Sequence, residues 1–301
     1  MDPLPRRRLG RTDIVASVLG FGGSEIGYRR VSGRTVERLL GSALDAGLNA
    51  IDTAECYGDG ERLIGAAVGA RRREFSLFTK CGHAAGWGRP DWRPAALLAS
   101  IERSLSRLAT DHLDLIQLHS CSLAELRAGD AIDALERARA RGLARYIGYS
   151  GDGAAARFAV ECGRFDTLQT SVSVADQEAL ERTLPLARAR EMGVIAKRPL
   201  ANVAWRHARK PAEPYHQTYW ARLRALDYAF LKGAPDVAVS TALRFTLAVP
   251  GVHTAIVGTT KPERWQQNAA LLQAGPLPPD EFEKILARWR AVADASWEGQ
   301  E

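Results

Sequence analysis

The chain has 301 residues, 46% of them hydrophobic and 25% charged, with a formal net charge of +6; this suits one large α/β barrel and excludes a disordered chain. No run approaches the roughly 20 apolar residues of a membrane span, and the charged start, Met1 to Arg8, has no apolar stretch behind it, so a cytoplasmic protein without a signal peptide is expected. The basic residues are dispersed apart from Arg6–Arg8 and Arg71–Arg73, which argues against nucleic acid and leaves a phosphorylated small molecule as the natural anionic partner.

Residues 7–21 read as a hairpin turning at Gly10-Arg11-Thr12-Asp13 and running into a strand that ends at Gly20-Phe21-Gly22-Gly23. Apolar runs at 17–22, 48–51, 75–79, 113–118, 144–149, 166–171, 193–196 and 252–257 then read as eight strands. Amphipathic stretches follow each of them, at 34–46, 60–70, 94–108, 123–141, 152–163, 176–191, 236–248 and 261–273; Leu97, Ile101, Leu105 and Leu108 keep helical spacing. Regular βα alternation predicts a parallel sheet. Eight units fit a (β/α)8 TIM barrel, with an N-terminal β-hairpin before it and a C-terminal helix over 279–296 behind it. No linker interrupts the alternation, so residues 1–301 are expected to form a single domain. The stretch 200–235 exceeds a usual connection and carries Trp205, His207, Tyr215, His216, Tyr219 and Trp220, which suggests an elaborated loop and in part a pocket wall.

In such a barrel the C-terminal ends of the strands converge on one mouth. Those ends carry Asp52 with Tyr57 shortly after, Lys80, His119, Ser150, Gln169, Lys197 and Gly258-Thr259-Thr260. Polar groups stand where one apolar run after another stops, and that recurrence separates a site from scattered surface polarity. Taken singly, Asp52 reads as a cap, His119 as a core histidine and Lys80 as a surface charge. Together they form a proton donor: a phenol of ordinary pKa about 10 is a poor neutral-pH acid, and a lysine beside it is expected to draw that pKa down. Asp52 would orient Lys80, and His119 would bond the same substrate oxygen. Carbonyl reduction needs such a donor together with a hydride source.

At these residues the sequence resembles the aldo-keto reductases. The resemblance is carried by Leu19-Gly20-Phe21-Gly22, Asp52-Thr53-Ala54 with Tyr57-Gly58, Gly60 to Gly65, Phe78-Thr79-Lys80 and Ser104 to Leu108. Asp114 to His119, Gly142 to Ser150 and Ile256 to Arg264 continue it over most of the chain. It implies a catalytic tetrad of Asp52, Tyr57, Lys80 and His119, and NADPH (NADP+) lying across the barrel mouth. Ser150 and Gln169 would bond the nicotinamide carboxamide, and Gly22, Lys197, Pro199 and Leu200 would line the cofactor. Backbone at Gly258, Thr259 and Thr260 would approach phosphate, Arg264 the 2′-phosphate, and Gln267 and Asn268 the adenine.

Three positions depart from the family pattern. Gly151 stands where many members have Asn, so one carboxamide contact is missing or falls to Asp152. Lys197 stands where an aromatic usually stacks on the nicotinamide; a buried structural role is not expected of it, because an unpaired charge is costly there. Gly258 replaces a frequent lysine, which weakens the preference for NADPH over NADH. The stretch Gly20 to Glu25 lacks the third glycine of a Rossmann fingerprint. The cysteines Cys56, Cys81, Cys121 and Cys162 form no CxxC pair and read as reduced packing residues; the histidines lack ligand spacing, so no metal is expected. A small carbonyl compound is the expected partner. The rival reading, a non-catalytic NADPH-binding redox-sensing subunit, has no need of all four tetrad residues.

Overall fold

Eight parallel strands close into a barrel in the computed structural model, which describes residues 4–300. A hairpin of β1 (Arg6–Arg8) and β2 (Val15–Ser17) precedes it, paired antiparallel with Arg7 opposite Ala16. The barrel strands are β3 (Leu19–Gly22), β4 (Ala50–Asp52), β5 (Ser76–Cys81), β6 (Leu113–His119), β7 (Ala144–Ser150), β8 (Thr167–Ser171), β9 (Gly193–Lys197) and β10 (Thr254–Val257). They follow chain order, and β10 closes on β3 through Ile256 opposite Gly20. All eight expected strands are present; Asp52, Lys80, His119, Ser150 and Lys197, expected just beyond the apolar runs, lie within the strands as their last or next-to-last positions, and Gln169 is the middle residue of β8.

Two packed regions organise the molecule. The larger lies between the sheet and the surrounding helices and takes in Leu39, Leu97, Ile101, Leu135, Val160 and Phe245. The smaller fills the lower barrel: Ala50, Phe78, Leu115, Ile195 and Ile256 point inward and meet Leu9, Ile14 and Ala16 of the hairpin. The hairpin is therefore a plug. Its turn requires glycine at Gly10, where φ is +56° and a Cβ would come within 2.3 Å of the Gly193 amide.

That plug explains where the polar residues must go. Successive side chains on a strand alternate, so positions two apart share a face. Ala50 and Asp52, Phe78 and Lys80, Leu115 and Gln117, and Ile195 and Lys197 are such pairs. The lower member seals the barrel and the upper one faces the mouth.

Several helices differ from the sequence pattern. The stretch 123–141 divides into Leu123–Ala128 and Asp130–Ala140 at Gly129, whose φ of 89° no helix tolerates. The stretch 176–191 divides into Glu178–Arg182 and Leu184–Ala189 at Thr183, just before Pro185; a proline cannot donate to the preceding turn. The stretch 261–273 narrows to Arg264–Leu271 and a 3-10 turn. The C-terminal helix spans Pro279–Val292. The long connection 200–235 contains a helix of its own, Pro214–Leu226, begun by a proline at its first position, where the missing N–H is no loss. Among the described residues no helix is long and apolar enough to cross a membrane.

Candidate active site

The barrel mouth holds a cavity of about 640 Å³ with Asp52, Tyr57, Lys80 and His119 on its wall. That is within the usual size range of small-molecule sites. The Lys80 ammonium is almost fully buried and donates to Asp52 Oδ2 at 2.5 Å and to the Thr53 carbonyl at 2.8 Å. Asp52 also accepts from Gln169 Nε2 at 3.1 Å and Gln117 Nε2 at 3.4 Å. Burial pushes its carboxyl up, against Lys80 and the two amides, which favour the ionised form. The ammonium faces the Tyr57 ring, 5.4 Å from its centroid, and the His119 ring stands edge-on to Tyr57 at 5.6 Å.

The phenol behaves otherwise than the sequence suggests. Burial first, then the charge of Asp52, pushes Tyr57 well above its ordinary range. Lys80, engaged by Asp52 at hydrogen-bond distance, does not outweigh them. At neutral pH Tyr57 is therefore a phenol with its proton in place. His119 is neutral as well: burial, then Lys80 and His83, hold its imidazole well below the usual range. Cys56 Sγ lies 3.5 Å from His119 Nδ1. Burial pushes this thiol up to about 11, so it stays S–H. Donation from sulfur to Nδ1 favours the tautomer with its proton on Nε2, leaving His119 a hydrogen-bond donor there. Sequence reasoning had placed Cys56 among packing residues; its position next to Tyr57 was the available signal.

Glu55 was also missed. Its buried carboxylate accepts from the Gly82 and His83 amides at 2.7 and 2.9 Å and from the Ser100 hydroxyl. It thus pins the loop after β5, in which His83 bonds the His119 carbonyl at 2.8 Å and Trp87 meets the His119 ring at 4.8 Å. Among the aromatics after β3 and β5, Trp87 and Tyr28 line the cavity, while Trp92 packs against the core. In the long connection, Tyr215 and His216 reach the cavity. Tyr219 is instead fully buried and donates to Asp176 at 2.5 Å.

Of the residues expected to hold a cofactor, Gly22, Ser150, Gln169 and Gly258 line the cavity, and so do Lys197, Pro199 and Leu200. Ser150 donates to Gln169 Oε1 at 2.8 Å, so the two form one unit with Asp52. Thr259, Thr260, Arg264, Gln267 and Asn268 are not part of that wall; they lie on the segment after β10, where Thr259 Oγ1 accepts from the Lys261 amide at 3.1 Å and Asn268 is buried. Lys197 corrects an expectation. It is largely buried, and the charge is not unpaired: Asp152 lies 2.8 Å away. Asp152 is itself held by the Thr170 hydroxyl and the Ser171 amide, both at 2.7 Å. It is committed to Lys197 rather than free for a carboxamide.

The sequence profile of the Aldo/keto reductase family matches residues 18–290. An uncharacterised oxidoreductase of Bacillus subtilis is 28% identical, covering 93% of this chain and 95% of its own. L-galactose dehydrogenase of Arabidopsis thaliana is 25% identical over 99% of this chain and 98% of its own. Among solved structures, the holo form of an aldo-keto reductase from Bacillus halodurans superposes with a TM-score of 0.84 at 26% identity, covering 98% and 99% of the two chains. An aldo/keto reductase from Klebsiella pneumoniae, solved in complex with NADP and acetate, shares the fold with a TM-score of 0.74 at 24% identity, over 97% of each chain. The chain belongs to the aldo/keto reductase family and is an NAD(P)H-dependent oxidoreductase.

Proposed function

We propose that this protein reduces an aldehyde or ketone group of a small molecule to the alcohol, taking hydride from NADPH and a proton from Tyr57. The observation that carries the reading is the meeting, in one cavity, of a protonated phenol, a neutral imidazole and a lysine locked to an aspartate.

The wall of the cavity fits a nicotinamide dinucleotide. Ser150 and Gln169 keep unused hydrogen-bonding capacity after bonding each other. Gly22 and Gly258 stand together on the cavity wall, and with no side chain at either position a ligand can approach the backbone closely. Ser150, Gln169, Gly22 and Gly258 would hold the nicotinamide end, with Pro199 and Leu200 along its length and Arg264, Gln267 and Asn268 towards the adenosine. When bound, the cofactor supplies the hydride.

The chain's own residues manage the proton and the charge. His119 Nε2–H and the Tyr57 hydroxyl both donate to the carbonyl oxygen and so aim it. As that oxygen gains alkoxide character it becomes far more basic than a phenolate, and the Tyr57 proton passes to it even though burial has raised the phenol's pKa. Lys80, 5.4 Å from the ring centroid, stabilises the phenolate left behind. Asp52 keeps Lys80 charged and fixed, and Gln169 and Gln117 keep Asp52 in place.

The test is NADPH oxidation, followed by absorbance, with a panel of activated aldehydes and ketones, run beside NADH. Turnover supports the reductase. Tight NADPH binding with no turnover of any carbonyl would instead favour a cofactor-binding sensor.

A further inference from the structure

His83 opens the loop after β5, the loop that brings Trp87 to the cavity wall. The residue is 4% exposed, and each of its ring nitrogens faces a backbone carbonyl. Nε2 lies 2.8 Å from the His119 oxygen, at the end of β6, and Nδ1 lies 3.0 Å from the oxygen of Trp87, four residues along its own loop. The ring stacks on the Trp87 indole, with centroids 4.5 Å apart and planes inclined by 14°. Trp92 and His119 stand edge-on to it at 5.4 and 5.5 Å. One imidazole thus joins the proton-donor side of the cavity to the aromatic beside it.

A carbonyl oxygen only accepts, so both contacts are hydrogen bonds only when both nitrogens carry a proton. The imidazolium meets that condition. The neutral ring has a single N–H and must turn a lone pair on the second oxygen. The face of the stacked indole favours the cation as well. Around the ring, Glu55 takes the His83 amide at 2.9 Å and lies 3.7 Å from Arg103, Lys80 is bound to Asp52, and Asp91 is bound to Arg93 at 2.6 Å. Burial keeps the Cys56 thiol and the His119 imidazole uncharged at neutral pH. The two oxygens are unequal partners. The His119 carbonyl ends a packed strand, whereas Trp87 is 44% exposed and stands between Gly86 and Gly88, where an added Cβ would meet nothing within 4 Å. A neutral ring therefore keeps Nε2–H on His119 and lets the Trp87 carbonyl turn to water.

We propose that His83 is a positioning residue that works as a protonation-dependent latch: doubly protonated it ties Trp87 against His119 and closes the substrate side of the cavity, and on losing a proton it frees the Trp87 tip. This rests on the reductase reading and adds regulation of that site by pH. The Trp87 ring lies 4.8 Å from the His119 ring, so it borders the place where the carbonyl oxygen is received. With the latch closed the indole is a fixed wall against the substrate. With the latch open that wall contributes less to binding, while Asp52, Tyr57, Lys80 and His119 keep their arrangement. The effect therefore falls on KM and leaves kcat nearly level.

The experiment labels the protein with 5-fluorotryptophan, assigns the Trp87 fluorine signal through Trp87→Phe, and follows it with and without NADP+ from about pH 6 to 8.5, the range in which histidine changes charge. Steady-state KM and kcat for 4-nitrobenzaldehyde are measured over the same range. In wild type the Trp87 signal should move and narrow as pH rises, and KM should rise by about three- to tenfold, the weight of one hydrogen bond. His83→Gln, whose amide matches Nε2 and does not titrate, should keep the His119 contact and hold both readouts at the high-pH values of wild type throughout. His83→Asn, which matches Nδ1 instead, serves as the second variant if the first folds poorly, and its signal and KM should likewise ignore pH. A Trp87 signal that stays level in wild type, or that moves as much in the variants, would overturn the latch. A moving signal with a level KM would overturn its hold on the substrate. Should no aldehyde be turned over, the reductase reading fails by itself, and the fluorine signal still decides the latch.

Discussion

Replacing Tyr57 by phenylalanine isolates the proton donor. The ring keeps its edge contact with His119 and its place over Lys80, and the hydroxyl makes no hydrogen bond to another described residue. Removing it therefore leaves no buried partner unsatisfied, and the unfolding midpoint should stay near that of wild type. The cofactor wall is untouched, so NADPH affinity should be retained. Turnover should fall by about 10²- to 10⁴-fold, the usual worth of a positioned general acid. That corresponds to roughly 3–5 kcal/mol at the transition state. Single-turnover measurement of NADPH oxidation, with bound cofactor confirmed by fluorescence, separates chemistry from binding. Unchanged turnover in this variant would refute the mechanism. The raised phenol also sets a direction with pH: reduction needs the protonated form and should persist through neutral pH, whereas alcohol oxidation needs phenolate and should climb as pH rises.

Lys80→Met leaves the buried Asp52 without its counter-charge, so urea unfolding should show a loss of about 3–5 kcal/mol, and Asp52→Leu in the same chain should restore much of it. His119 contributes to acid lability. Its folded pKa is depressed, so below about pH 6.5 the unfolded chain binds a proton that the folded one does not, and stability falls with pH by up to about 1.4 kcal/mol per unit. Urea unfolding of His119→Asn between pH 4 and 7 should show a shallower slope than wild type. Cys56→Val removes the donor at 3.5 Å from His119 Nδ1; kcat should fall several-fold with NADPH affinity kept, and Cys56→Ser should retain most of the rate, measured in the same assay. Asp152→Ala strands Lys197, and calorimetric unfolding should register a loss of about 3–5 kcal/mol, as for any buried pair broken on one side.

Local pattern in the sequence determined the strand-helix alternation, the hairpin and the place of Asp52, Lys80 and His119. Each sits two residues beyond an inward apolar residue or at the close of an apolar run, and strand periodicity alone puts such residues on one face at one end. Helix interruptions were less legible: Gly129 and Pro185 were in plain view, but a glycine or proline in an amphipathic pattern is decided by whether the packed neighbours tolerate a bend. Charge states were beyond the sequence altogether. Whether Lys80 lowers the Tyr57 pKa depends on burial and on the charge of Asp52, which engages the ammonium at 2.5 Å. Whether Lys197 is a stranded charge depends on Asp152, which only the pairing of β7, β8 and β9 brings within 2.8 Å. Sequence period sets which way a side chain points, while Coulomb energy and desolvation follow distances and burial that the tertiary fold alone creates.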